Sequence, residues 1–199
     1  TGLNADNLPV FLNLVVAAAN NGTGTDTVAK LQALVTQAQQ DHAQLVLAQQ
    51  RQQAAIDIIV AYAGDATTAA GNTPPVLSDF STAGVTGVQA GNLAAVQSAL
   101  ASAAVTGTQV DTSAKIQTLV DAYNLILAEA NGSLADATPS ANPSASTYAA
   151  IGATTAAGLA NGGSAQSLLN NVIGQSLPAR VDAVADIEAM AEAVIRVMG

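Results

Sequence analysis

Apolar side chains recur three and four residues apart along most of this chain, the spacing that lines one face of an α-helix. Leu8, Phe11, Leu12, Val15 and Val16 carry the first such stripe. Asp6 or Asn7 stands where an N-cap is needed, Pro9 is tolerated in a first turn, and Asn20-Asn21-Gly22 supplies a stop. From Thr27 to Ala63 there is neither Gly nor Pro, and Leu31, Val35, Ala38, His42, Leu45, Gln49, Ile56, Ile59 and Ala63 follow helical spacing. Unbroken, that helix is about 55 Å long at 1.5 Å per residue. Its middle, Thr36 to Gln53, is rich in Gln and has a weaker stripe, so the helix either extends beyond the body or breaks near Gln49–Gln53.

Beyond it, residues 64–75 read as a loop from their Gly, Asp, Thr and Pro content. One or two helical turns over residues 76–83 end at Gly84, and a helix over about 90–103 turns its Leu93, Val96 and Leu100 inward. After a turn at 105–108 a helix carries Ile116, Leu119, Val120, Tyr123, Ile126 and Leu127, and Asn131-Gly132 ends it. A second loop at 133–147, a short turn at 148–151 before Gly152, and helices over about 164–173 and 182–197 complete the pattern.

Part of this pattern is repeated. TDTVAKLQALV at 25–35 and VDTSAKIQTLV at 110–120 share seven of eleven positions, and VDAVADIEAMA from Val181 is a degraded third copy. Asp26, Asp111 and Asp182 open the copies and read as N-caps favoured by the helix dipole; on that reading Asp111→Ala costs about 1 kcal/mol. Pro75, Ser78, Phe80, Gly84 and Thr86 match Pro143, Ser146, Tyr148, Gly152 and Thr154 at an offset of 68 residues. Gly2, Asn7, Leu8 and Asp26 match Gly87, Asn92, Leu93 and Asp111 at an offset of 85, which places 17 extra residues in the Gln-rich middle. The expected fold is therefore all-α, an array of three related helical-hairpin units. They span 1–64, with a long extended helix and an insertion at about 37–53, then 65–132, then a degenerate 133–199. Leu31, Val35, Ile116, Leu119, Val120, Ile187 and Met190 are the expected core. Thr1 falls inside the segment that is intact at 84–87, which suggests a piece of a longer array.

Composition narrows the chemistry. Half of the residues are apolar, mostly Ala, Val and Leu, with only Phe11, Phe80, Tyr62, Tyr123 and Tyr148 as aromatics. A net charge of −9 with scattered cations argues against a nucleic-acid partner, which needs clustered Lys and Arg. There is no Cys, hence no disulfide framework or thiolate metal site, and no apolar run of membrane-spanning length. The single histidine, His42, has only Asp41 beside it and reads as a helix-face residue. Thr23-Gly24-Thr25 and Thr106-Gly107-Thr108 lack the Lys and preceding strand of a phosphate loop and read as turns. Asn21-Gly-Thr and Asn131-Gly-Ser are glycosylation triplets of the kind that arise by chance. No catalytic, cofactor-binding or metal-ligating residue is assigned, and the chain is read as a non-enzyme. Calcium stays open only in that Asp26, Asp111 and Asp182 belong to loops that could converge. An apolar pocket near Phe80, Tyr123 and Tyr148 would make the chain a helical small-molecule binder instead.

In the stretch Phe80-Ser-Thr-Ala-Gly-Val-Thr-Gly-Val, with Asn92-Leu-Ala-Ala-Val and Val110-Asp-Thr-Ser-Ala-Lys-Ile-Gln-Thr-Leu-Val, the chain resembles Ala-rich helical repeats of very large bacterial surface proteins. These are the RTX-type and biofilm-associated adhesins of Gram-negative bacteria. The resemblance implies an extracellular, cell-surface structural or adhesive segment without catalysis. Its partners would be neighbouring repeat units or other copies of itself. A self-assembling filament or surface-layer subunit is the alternative that the same composition suits.

Overall fold

A computed structural model describes residues 2–18, 21–64, 73–133, 142–159 and 162–199. Thr1, Asn20 and most of the two loops expected at 64–75 and 133–147 lie outside them. The described residues are all-helical, with no strand. The helices are α1 (Leu8–Ala17), α2 (Val28–Tyr62), α3 (Leu77–Thr82), α4 (Leu93–Leu100), α5 (Ser113–Glu129), α6 (Ala145–Ala150), α7 (Thr154–Ala157), α8 (Ser164–Gly174) and α9 (Val184–Met198). Single 3-10 turns at Gly107–Gln109 and Pro178–Arg180 precede α5 and α9.

The Gln-rich middle does not break: α2 is one helix of 35 residues. No residue from 39 to 54 is buried, so tertiary packing does not hold this stretch. Local terms do. Ala, Gln, Leu and Arg are strong helix formers, and the amides of Gln37 and Gln53 donate to Asp41 and Asp57 one turn on, at 2.6 and 2.8 Å.

Contacts group the chain into two compact units, Thr1–Gln52 and Gln53–Gly199, rather than along the sequence periods at 64/65 and 132/133. Two facts explain the difference. Ala55, Ile56 and Ile59, near the end of α2, are buried in the core of the C-terminal unit. The second and third periods share that core, because α5 packs against α6 and α8 as well as α4, while α9 packs against α7, α8 and α4. The core itself is narrow and made mainly of Ala, Val, Ile and Leu around Phe80, Tyr123 and Tyr148. Small side chains let helix backbones approach closely but bury little area each. Gly84 and Gly152, 68 residues apart, both have positive φ (80° and 78°) and close α3 and α6 in the same way. A β-carbon at Gly152 would also meet the Ser102 hydroxyl.

The expected core is correct in this unit and wrong in the other. Ile116, Leu119, Val120 and Ile187 are fully buried, and Met190 packs half-buried against them. Leu31 is exposed and Val35 half-buried. In the N-terminal unit only Asn7 and Ala38 are buried among the described residues, and α1 buries no residue at all.

Candidate functional site

The polar residues singled out by the repeats form clamps that fix helix starts, and the same clamps recur at matching positions. Lys30 Nζ donates to Asp26 Oδ1 (2.7 Å) and to the Thr23 carbonyl (2.6 Å). Lys115 Nζ does the same with Asp111 (2.7 Å) and Thr108 (2.8 Å). Asp26 and Asp111 are therefore not the caps that the sequence suggests. The residue after each caps instead: Thr27 and Thr112 accept the backbone N–H of Lys30 and Lys115 through their hydroxyls, at 3.2 and 3.3 Å. The aspartates sit one residue too early and turn to the lysine four residues on, in half-exposed ion pairs worth a few tenths of a kcal/mol. The cost of about 1 kcal/mol for losing a cap thus belongs to Thr112. Asp182 is not a cap either. Ala183 precedes α9 with no side-chain cap, and Asp186 stands where the lysine would be.

A second clamp uses amides. Asn7 accepts from the Asn4 N–H (2.9 Å) and donates to the Gly2 carbonyl (3.0 Å), which also receives the Gln39 amide (2.9 Å). Asn92 accepts from the Gln89 N–H (2.7 Å) and donates to the Gly87 carbonyl (2.7 Å), which receives Asn124 (3.1 Å). Asn7 is thus the residue before α1, as expected, but it braces the turn and makes no side-chain cap bond. A third clamp holds the backbone N–H of Thr86 against Gln117 Oε1 (2.8 Å); Glu188 grips the Thr155 N–H with both oxygens at 3.0 Å. A fourth hangs the carbonyls of Pro75 and Pro143 on the amides of Gln97 (2.9 Å) and Asn170 (3.0 Å). Sequence reasoning missed Gln39, Asn124, Gln117 and Glu188. The signal was there at one pair: Gln39 and Asn124 are 85 residues apart, the same offset as the motif.

The other candidates are explained by local bonding. His42 is half-buried on α2, and its neighbour Asp41 takes the Gln37 amide. No group of three or more acidic or histidine side chains among the described residues is placed to hold a metal ion. The two Thr-Gly-Thr turns point carbonyls at a lysine, whereas a phosphate loop points N–H groups at its ligand. The side-chain oxygens of Asn21 and Asn131 accept the N–H two residues on, at 3.1 and 2.9 Å, so both triplets are Asx turns. The widest cleft, ≈ 540 Å³, runs past Ser98, Ser102, Thr154, Glu188 and Glu192. Its serines hold the Val184 N–H and the Gly152 carbonyl, Glu188 holds Thr155, and Glu192 pairs with Arg196.

The three aromatics do not line a pocket. Phe80, Tyr123 and Tyr148 are at 1% exposure or less. The Tyr123 hydroxyl donates to the Val181 carbonyl (3.0 Å) and that of Tyr148 to Asn170 Oδ1 (2.6 Å). Burial raises both phenols well above their ordinary range, with Asp182 and Asp186 adding at Tyr123 and Glu129 at Tyr148. Above the ordinary tyrosine range the unfolded chain gives up these protons while the folded chain keeps them, so stability falls as pH rises. The expected slope is about 1.4 kcal/mol per pH unit for each tyrosine. Urea midpoints across that range check it, and Tyr123→Phe should remove one tyrosine's share of the slope.

Comparison with family models, with curated proteins and with solved structures finds no match to this chain. No helix among the described residues is long and apolar enough to cross a membrane.

Proposed function

We propose that this chain is a non-catalytic structural and interaction module of an extracellular bacterial surface adhesin, serving cell adhesion and biofilm formation. The observation that carries this reading is the recurrence of the clamps. Asp-Lys-carbonyl, Asn-glycine carbonyl and amide-proline carbonyl bonds occur twice each, at positions set by the repeat offsets. A chain that reuses one set of bonds to fix its helix starts uses its polar side chains to hold helices in register. Stacked helical repeats of this sort extend by adding units, with each new unit covering the last. The polar groups of the widest cleft serve the same end, since its serines and Glu188 brace backbone. On this reading the partners are neighbouring units of the same chain or further copies of it. Function then resides in surface and length, with neither metal nor cofactor required.

Surface display tests the reading. Bacteria displaying the chain should remain on a washed surface and in clumps in larger numbers than bacteria displaying a shuffled sequence of equal composition. Equal retention of the two would count against an adhesive role.

A further inference from the structure

Matched positions of the first two repeats differ in what covers them. Val96, Leu100, Ile116, Leu119 and Val120 are at 2% exposure or less. Within that unit α5 meets α4 of its own repeat on one side and α6 and α8 of the following repeat on the other. The counterparts 85 residues earlier are Phe11, Val15, Leu31, Leu34 and Val35. All five are apolar, and none is buried. Around them Leu12, Val16 and Val28 are exposed by 51%, 84% and 83%. A surface carrying this much contiguous apolar side chain marks an interface. Its internal counterpart shows what kind of element fills it: a short helix of the next repeat, in the place that α8 takes over α5.

We propose that these stripes of α1 and the start of α2 are the contact surface for a second copy of this chain, with α1 of each copy seated on the α2 stripe of the other. α1 is the helix that α4 and α8 are in their own repeats, so the second copy brings the required element. The contact is reciprocal, and reciprocal contacts close as two-fold pairs. Charge favours this end of the chain over the other. The N-terminal unit carries Asp6, Asp26 and Asp41 against Lys30 and Arg51, a formal −1 of the chain's −9, which leaves −8 on residues 53–199. Two N-terminal units therefore meet with little repulsion, whereas two C-terminal units do not. The pairing names a partner for the adhesive module proposed above, but it stands on burial and charge alone and needs no cellular setting.

The test is sedimentation equilibrium of the purified full chain over a concentration series, beside Leu12→Glu, Leu31→Glu and, as a control on an exposed apolar residue of α9, Val197→Glu. Leu12 and Leu31 are exposed, so helix content should be unchanged in both, and circular dichroism verifies that. The expected result is a monomer–dimer equilibrium in the native chain, weakened about tenfold or more by either N-terminal change and untouched by Val197→Glu. A native chain that stays monomeric throughout overturns the pairing, without bearing on the retention test of displayed cells. Association abolished by Val197→Glu but not by Leu31→Glu overturns it as well, and so does growth past the dimer into open-ended assemblies.

Discussion

Truncating Ile116 to Ala is expected to lower the unfolding free energy by about 2–5 kcal/mol, while Leu31→Ala at the matching position is expected to cost less than about 1 kcal/mol. Ile116 is completely buried on α5, in the narrow core shared by α4, α6 and α8. Its neighbours are already small and their helix backbones close, so they have little freedom to collapse into the space that a lost side chain leaves. The transfer loss and the cavity term then add almost in full. Leu31 sits at the same place in the motif but at 37% exposure, and removing its side chain creates no cavity. Urea unfolding followed by circular dichroism, at protein concentrations low enough to keep the chain monomeric, measures both. Equal losses would mean that the first stripe is covered in the isolated chain.

Gln49→Pro is expected to cost about 3 kcal/mol or more and to remove far more helical signal than one residue's worth. Proline at 49 deletes an N–H from the ladder of α2 and clashes with the carbonyl of Leu45, four residues earlier. In a packed helix the neighbours would hold the two halves in place around a kink. Here no residue from 39 to 54 is buried, so the ladder is the main support of this stretch, and helix lost at 49 is lost well beyond it. Gln49→Ala keeps the ladder and serves as the control. Far-ultraviolet ellipticity that is the same in the native chain and the proline variant would sink the idea that local bonding alone sustains this segment.

Helix existence was legible in the sequence because apolar spacing reports it directly, and α5, α8 and α9 lie within two residues of their expected places. Burial was legible only where a following repeat supplies the cover. Leu31 and Ile116 have the same spacing and the same neighbours in sequence, and nothing in either stripe says that one is covered and the other is not. The caps were misread for a different reason. Asp-Thr offers two good capping residues in a row, and the choice between them depends on where Lys30 and Lys115 reach. A lysine four residues downstream is an ordinary feature of a helix, so its claim on the aspartate could not be seen from residue types alone. The continuity of α2 was undecided because a Gln-rich segment has high helix propensity and almost no stripe, and only the latter was being counted. The aromatics were misread as pocket lining because burial in a core of small residues and exposure in a cleft demand the same apolar side chains.

The amide clamps carry a consequence for the medium in which such a module works. Asn7, Asn92, Asn124, Gln39 and Gln97 hold their carbonyls without a net charge on either partner. Dissolved ions screen charged pairs, to within about 3 Å at 1 M ionic strength, but have no such hold on a dipole meeting a dipole at contact distance. The ion pairs found among the described residues, Lys30–Asp26, Lys115–Asp111 and Arg196–Glu192, are at the surface and contribute little. A fold fastened in this way keeps its helix register in fresh water and in brine alike.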